Sequence, residues 1–242
     1  MVLPVRYLQV SLSVPDNDHM CQTFEEYMRE LLPTFTQTPW PGWQPVLTAK
    51  RSAQRDQANP PDTDANKHYL HVWRVSDYNS LPYLMEVFDD NPIYQHLDAM
   101  VLAETQDFFQ ALSYNPSGAA TASETAKATF YLQVTFDVVA DPTALQAFDN
   151  FMAACSTDPK SPITAQYGWT LANAYYSQTG LLRRYVQIWS TSQHWPEPAD
   201  AVAWLGEQPA VKGALNTAVA TNPQWMQWEP VNYGTQPSAS PS

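Results

Sequence analysis

The sequence predicts an α+β fold built twice in tandem, and three observations predict it. First, YLQVSLSV at Tyr7–Val14 returns as YLQVTFDV at Tyr131–Val138, 124 residues later in a chain of 242. Second, FEEYMRE (Phe24–Glu30) falls on FDNFMAA (Phe148–Ala154) at the same shift, and Gly42-Trp43 falls on Gly168-Trp169 at a shift of 126. Third, YLHVWRV (Tyr69–Val75) falls on YVQIWST (Tyr185–Thr191) at a shift of 116, and the segment from Asn91 falls on the segment from Gln208 at 117. The matches keep their order while the shift drifts by a few residues, as loop insertions make it do in a tandem duplication.

Each repeat then reads as one series of elements. Strand 1 alternates, with Leu8, Val10, Leu12 and Val14 against Tyr7, Gln9, Ser11 and Ser13, the period of a strand with two unlike faces. A helix follows, with Phe24, Tyr27, Met28 and Leu31 at helical spacing, ending near Pro33. A Gly-Trp turn leads into strand 2 at Trp43–Arg51. The polar stretch from Ser52 to Asn66 reads as a long mobile loop, where the second repeat has only SQTG. Strand 3 is Tyr69–Val75. A second helical stretch runs from Leu81, breaks at Asn91-Pro92 and resumes through Ile93, Leu97, Met100 and Val101. A short strand at Asp107–Ala111 closes the repeat. The order β-α-β-β-α-β is the ferredoxin-like plan. It divides the chain into a first unit at 1–112, a linker at 113–127, a second unit at 128–233 and a disordered tail at 234–242.

Composition narrows the function classes. A net charge of −12 with 12 Lys and Arg excludes a basic phosphate-binding face, so nucleic acid is not an expected partner. No apolar run approaches the roughly 18 residues of a membrane span, and the N-terminal residues read as strand rather than secretion signal. Cys21 and Cys155 make no CxxC spacing and read as free thiols of a cytoplasmic protein. HExxH, GxGxxG, P-loop and GxSxG motifs are all absent. No metal site is expected.

The stretch HYLHVWRVSDYNSLPYLMEVFDDNPIYQHLDAMV resembles the NIPSNAP-like branch of the dimeric α/β-barrel superfamily. The resemblance implies that two ferredoxin-like units pair their antiparallel sheets into one barrel with helices outside. Here both units come from one chain, an intramolecular pseudo-dimer that exists as a monomer or a homodimer. The superfamily includes polyketide cyclases, cofactor-free monooxygenases, lactone isomerases and haem proteins similar to chlorite dismutase. Fold alone does not choose among these.

The strand faces suggest where chemistry sits. Leu8, Val10 and Leu12 group with Leu70 and Val72 as a greasy face for helices to cover, and Leu132, Val134 and Phe136 group with Val186 and Ile188. Tyr7, Gln9, Tyr69, His71 and Trp73, with Tyr131, Gln133, Tyr185, Gln187 and Trp189, then form the opposite face. That set reads either as a filled, hydrogen-bonded core or as the wall of a cavity for a hydrophobic or aromatic ligand. Residues that differ between repeats are the candidates for specialised chemistry. His71 is matched by Gln187, His96 by Gly213, Tyr94 by Val211 and Asp137 by Ser13. His71 is the first choice for acid/base work, because a near-neutral imidazole moves protons. Asp137 would orient it, act as base or sit at the strand end in solvent, and His96, on the apolar stripe of its helix, is a core residue or the one tempting haem ligand. The expected function is a cofactor-independent enzyme of small-molecule, natural-product metabolism that promotes cyclisation, isomerisation or a related proton transfer. A non-catalytic binding protein and a haem-dependent oxidoreductase are the alternatives.

Overall fold

An asparagine and an aspartate 124 residues apart open the two long helices. In the computed structural model Asn17 Oδ1 accepts the Met20 amide, and Asp141 Oδ1 accepts the Ala144 amide, both at 2.8 Å. Each meets one of the first-turn N–H groups that a helix leaves open. The structure describes residues 6–37, 43–51, 66–75, 92–116, 130–139, 141–157, 168–179, 182–191 and 224–233. Within them run β1 (Arg6–Pro15), α1 (Asp18–Gln37), β2 (Trp43–Arg51), β3 (Asn66–Val75), α2 (Pro92–Met100) and β4 (Ala103–Ala111). The second repeat supplies β5 (Phe130–Val139), α3 (Pro142–Thr157), β6 (Thr170–Thr179), β7 (Leu182–Thr191) and β8 (Gln224–Pro230). The loop at 52–65, the helical stretch at 81–91 and the tail at 234–242 lie outside the described residues.

Several expected boundaries change: β4 begins at Ala103 rather than Asp107, and β3 at Asn66 rather than Tyr69. The first helix does not end near Pro33 but continues to Gln37. Proline removes one backbone donor there, and the buried side chains of Leu31 and Leu32 fasten the turn just before it. The linker does not begin at Ser113. Leu112 N donates to Ala174 O at 3.0 Å, Ala174 N donates to Asn115 Oδ1 at 2.6 Å, and Tyr114 is buried. Residues 112–116 are therefore a structured arm.

Contacts divide the chain into two units that differ from the two repeats. The first comprises Met1–Lys50, Asp64–Asp107 and Val231–Ser242; the second comprises Arg51–Thr63 and Phe108–Pro230. In the first unit β3 is the central strand, antiparallel to β1 on one side and β2 on the other. The segment after β8 returns to this unit, where Val231 N donates to Thr48 O at 3.0 Å and Thr48 Oγ1 donates to Val231 O at 2.6 Å. In the second unit the strand order is β8-β5-β7-β6, with Gln110 and Ala111 of β4 pairing onto β6. The order 4-1-3-2, counted within the repeat, is that of a complete ferredoxin-like sheet.

The repeat shows in fine detail. β2 shifts register against β3 between Pro45 and Leu47, and β6 shifts against β7 between Leu171 and Asn173, so the same bulge recurs 126 residues on. Gly168 holds a φ of 65°, which explains a glycine before Trp169 at the strand entrance. The core of the second unit gathers Leu132, Phe136, Leu145, Phe148, Met152 and Trp169 between sheet and α3. No described helix is long and apolar enough to cross a membrane.

Candidate functional site

Strand register settles which side chains share a face, because residues directly opposite on antiparallel strands point the same way. On β1 and β3, Leu8 faces Trp73, Val10 faces His71 and Leu12 faces Tyr69, while Gln9 faces Val72 and Ser11 faces Leu70. The expected grouping is therefore corrected. His71, Tyr69 and Trp73 lie with the leucines, and Tyr7 and Gln9 lie with Leu70 and Val72. The second unit repeats the correction: Leu132, Val134 and Phe136 face Trp189, Gln187 and Tyr185, while Tyr131 and Gln133 share the other face with Ile188 and Val186. Alternation within one strand gives two faces but not the parity that joins it to its neighbour, which is why the sequence grouping failed.

The His71 face is the one α1 covers. The Phe24 ring of α1 lies 4.5 Å from the Tyr69 ring and stacks on the His71 imidazole at 6.3 Å with an interplanar angle of 11°. His71 is 2% exposed. Its Nε2 shares a hydrogen bond of 3.1 Å with the Tyr233 hydroxyl, and the two rings meet edge to face. Burial pushes the imidazole down to about 4, so it is neutral near pH 7. Two residues along β3 a second polar pair begins. Glu25 Oε1 accepts from Lys50 Nζ at 3.0 Å and from the Tyr69 hydroxyl at 3.1 Å. Burial first, and then the Glu25 carboxylate, hold both Tyr69 and Tyr233 well above the usual phenol range. Glu25 and Lys50 are partly exposed, so the group grades from solvent down to His71.

The second unit has the same frame with other chemistry. Gln187 stands where His71 stands, and its Nε2 donates to the Tyr114 hydroxyl at 2.9 Å while its Oε1 accepts from Trp189 Nε1 at 3.3 Å. The Tyr185 hydroxyl donates to Asp149 Oδ1 at 3.1 Å, as Tyr69 does to Glu25. On the face away from α3, Gln133 Oε1 accepts from Trp228 Nε1 at 3.0 Å.

The other candidates scatter. His96 is exposed on α2 rather than set on a buried stripe. Tyr94 lies in α2, with its side chain outside the described residues. Asp137 receives Arg184 Nε at 3.3 Å, an ion pair at the end of β5. His68 Nδ1 lies 2.9 Å from Ser13 Oγ, and His194 is outside the described residues. Neither Cys21 nor Cys155 is held in a disulfide. Among the described residues no three His, Cys, Asp or Glu side chains gather as a metal site. Nor does His71 suit an iron, since its Nε2 is engaged by Tyr233 and its ring is faced by Phe24 and Tyr233.

Sequence reasoning missed Tyr233, Tyr114, Glu25 and Lys50. A signal existed: the arms ALSYNP and PVNYGT both carry a tyrosine three residues past the fourth strand's last position. Nothing in their spacing says that each arm joins the sheet of the other repeat.

No family model and no curated protein matches the sequence. Solved structures do share the fold. A "Putative monooxygenase" from Fusobacterium nucleatum is 8% identical, with 96% of this chain and 94% of that chain covered and a TM-score of 0.52. A "Putative Chlorite dismutase" is 12% identical over 96% of this chain and 97% of that chain, also with a TM-score of 0.52. The fold class is thus α+β with ferredoxin-like units, as the duplicated pattern predicts.

Proposed function

We propose that the chain is a cofactor-independent enzyme that binds a small hydrophobic or aromatic compound and moves a proton on it, in a cyclisation, an isomerisation or a related step. One observation carries this reading. The two units share one frame, yet only the first places an imidazole, His71, with a buried phenol, Tyr233, beside a Glu25–Lys50 pair that reaches solvent. Neutral His71 is the proton acceptor, Tyr233 holds and orients its Nε2, and the Glu25 group exchanges protons with water. The fold shared with a "Putative monooxygenase" and a "Putative Chlorite dismutase" supports an enzyme on this frame. We place the chain by the NIPSNAP-like branch on its HYLHVW stretch, and in natural-product metabolism in the cytoplasm. His71 does not suit a haem iron, because its Nε2 is engaged by Tyr233.

The test is solvent exchange at an enolisable aromatic ketone. Wild-type protein should accelerate deuterium incorporation into β-tetralone in D2O, and His71→Gln should lose that acceleration while melting within a few degrees of wild type. Gln187 shows that this position accepts glutamine beside a tyrosine hydroxyl. A wild-type protein that binds the ketone without exchanging it would establish the alternative reading, a non-catalytic binding protein. The near-complete burial of His71 favours that alternative. A Soret band in the purified protein would overturn the cofactor-free reading.

A further inference from the structure

On the face of the second unit's sheet turned away from α3, Asn173 of β6 stands opposite Ile188 of β7, and Ile188 stands opposite Gln133 of β5. Asn173 is 3% exposed, and its Nδ2 meets no acceptor. Almost all buried polar groups are paired, so an orphan amide marks either a defect of the frame or a place where something else supplies the acceptor. The duplication separates these. Leu47 holds the same position in the first unit, one step past the same bulge and opposite Val72, and it too is 3% exposed. The frame accepts an apolar side chain at this position, so nothing in the fold calls for the amide.

The surroundings state what the missing acceptor looks like. Two residues along β6, Tyr175 is fully buried against Phe109 with ring centroids 4.8 Å apart. Ile188 and Val186 line the adjacent strand on the same face. The charged residues on this face of β5 and β7, Asp137 and Arg184, pair with each other four residues away from Ile188 and so offer nothing to an anion. An amide donor among aromatic and aliphatic walls suits a neutral acceptor oxygen on a flat apolar body.

We propose that Asn173 Nδ2 is the recognition donor of a small-molecule site on this face, taking an uncharged aromatic ketone. The site goes beyond the proton-transfer reading, because it lies in the second unit and does not use His71.

Fluorenone and fluorene test it, since they share a planar tricyclic body and differ in one carbonyl. In equilibrium dialysis of the full chain, fluorenone should bind about tenfold more tightly than fluorene, the worth of one added hydrogen bond. Asn173→Leu, the residue found at the matching position, should erase that preference and melt no lower than wild type. His71→Gln should keep the preference, so failure of the proton-transfer reading leaves this result intact. Equal affinities for the two compounds in the wild type, or no binding of either, would overturn the proposal without any variant having to fold. So would a preference that survives in Asn173→Leu.

Discussion

The His71 site and the Gln187 site are one piece of architecture carrying two kinds of chemistry. Each sets a side chain of a central strand under the first helix of its repeat, two residues from a tyrosine that donates to a carboxylate on that helix. Each closes on the hydroxyl of a tyrosine from an arm beyond a fourth strand. The difference is narrow: imidazole against amide, and Lys50 on β2 against Tyr176 at the matching place on β6. In the second unit the cation comes from β7 instead, with the Arg183 guanidinium 5.1 Å from the centre of the Tyr176 ring. Such a pair teaches which features the frame demands, since both copies keep them, and which are free to serve a ligand.

If the frames are equivalent, their keystones should cost alike. Phe24 is buried against Tyr69 and His71, and Phe148 is buried against Phe136 and Tyr185, with ring centroids at 5.6 and 5.9 Å in the second case. Phe24→Ala and Phe148→Ala should each destabilise by about 3–5 kcal/mol, the range for truncating a buried aromatic. Urea denaturation would measure both. A large loss in one with almost none in the other would break the comparison at its base, because it would mean that one helix is not held by its sheet.

Acid should separate the two units where truncation does not. Folded, His71 titrates at about 4 and, unfolded, at the ordinary value of 6.5. Between those values the unfolded chain binds a proton that the folded chain does not. Stability that is full above pH 6.5 therefore falls as pH drops toward 4, by up to about 3 kcal/mol. Gln187 adds no such slope. Asp149, raised mainly by burial, works the opposite way, because its folded form takes up a proton first as pH falls. Thermal melts at pH 7 and pH 4.5 should show a large acid loss in wild type and a clearly smaller one in His71→Gln. An unchanged loss in the variant would mean that His71 is not buried as a neutral ring.

How far the sequence carried this comparison depends on the range of each feature. The duplication, the strand 2 limits and the α+β class were legible because each rests on local pattern: the YLQV strands, the Gly-Trp turns, the helical spacing of Phe24 and Met28. The exchange of His71 for Gln187 was legible because both sit in matched strands. What was not legible is non-local. Cross-strand parity decides that His71 lies with Leu8 and Val10 rather than with Gln9, and it depends on a register that no single strand encodes. The partners Tyr233 and Tyr114 come from arms 162 and 73 residues away in sequence. Asn173 sat within reach of the same reasoning that found His71, for a shift of 126 sets it on Leu47, but a polar-for-apolar exchange becomes conspicuous only once both positions are known to be buried.

The smallest expected effect tests whether the charged mouth of the first unit belongs to the frame or to function. Lys50 and Glu25 form their pair with side chains 31% and 23% exposed, a setting in which water screens the attraction and the pair contributes little to stability. Glu25 also keeps the Tyr69 hydroxyl when Lys50 is gone. The second unit manages with Tyr176 at that place, its ring 6.1 Å from Tyr185. Lys50→Tyr should therefore change stability by less than about 1 kcal/mol, and any small loss should vanish at about 1 M salt, where such pairs are screened. Paired urea curves at low and high salt would read this directly. A loss above about 2 kcal/mol would exceed what a screened surface pair contributes and would make Lys50 part of the frame. A near-neutral change leaves the lysine with no structural reason to be there, which strengthens the case that it serves the proton traffic of His71 and Tyr233.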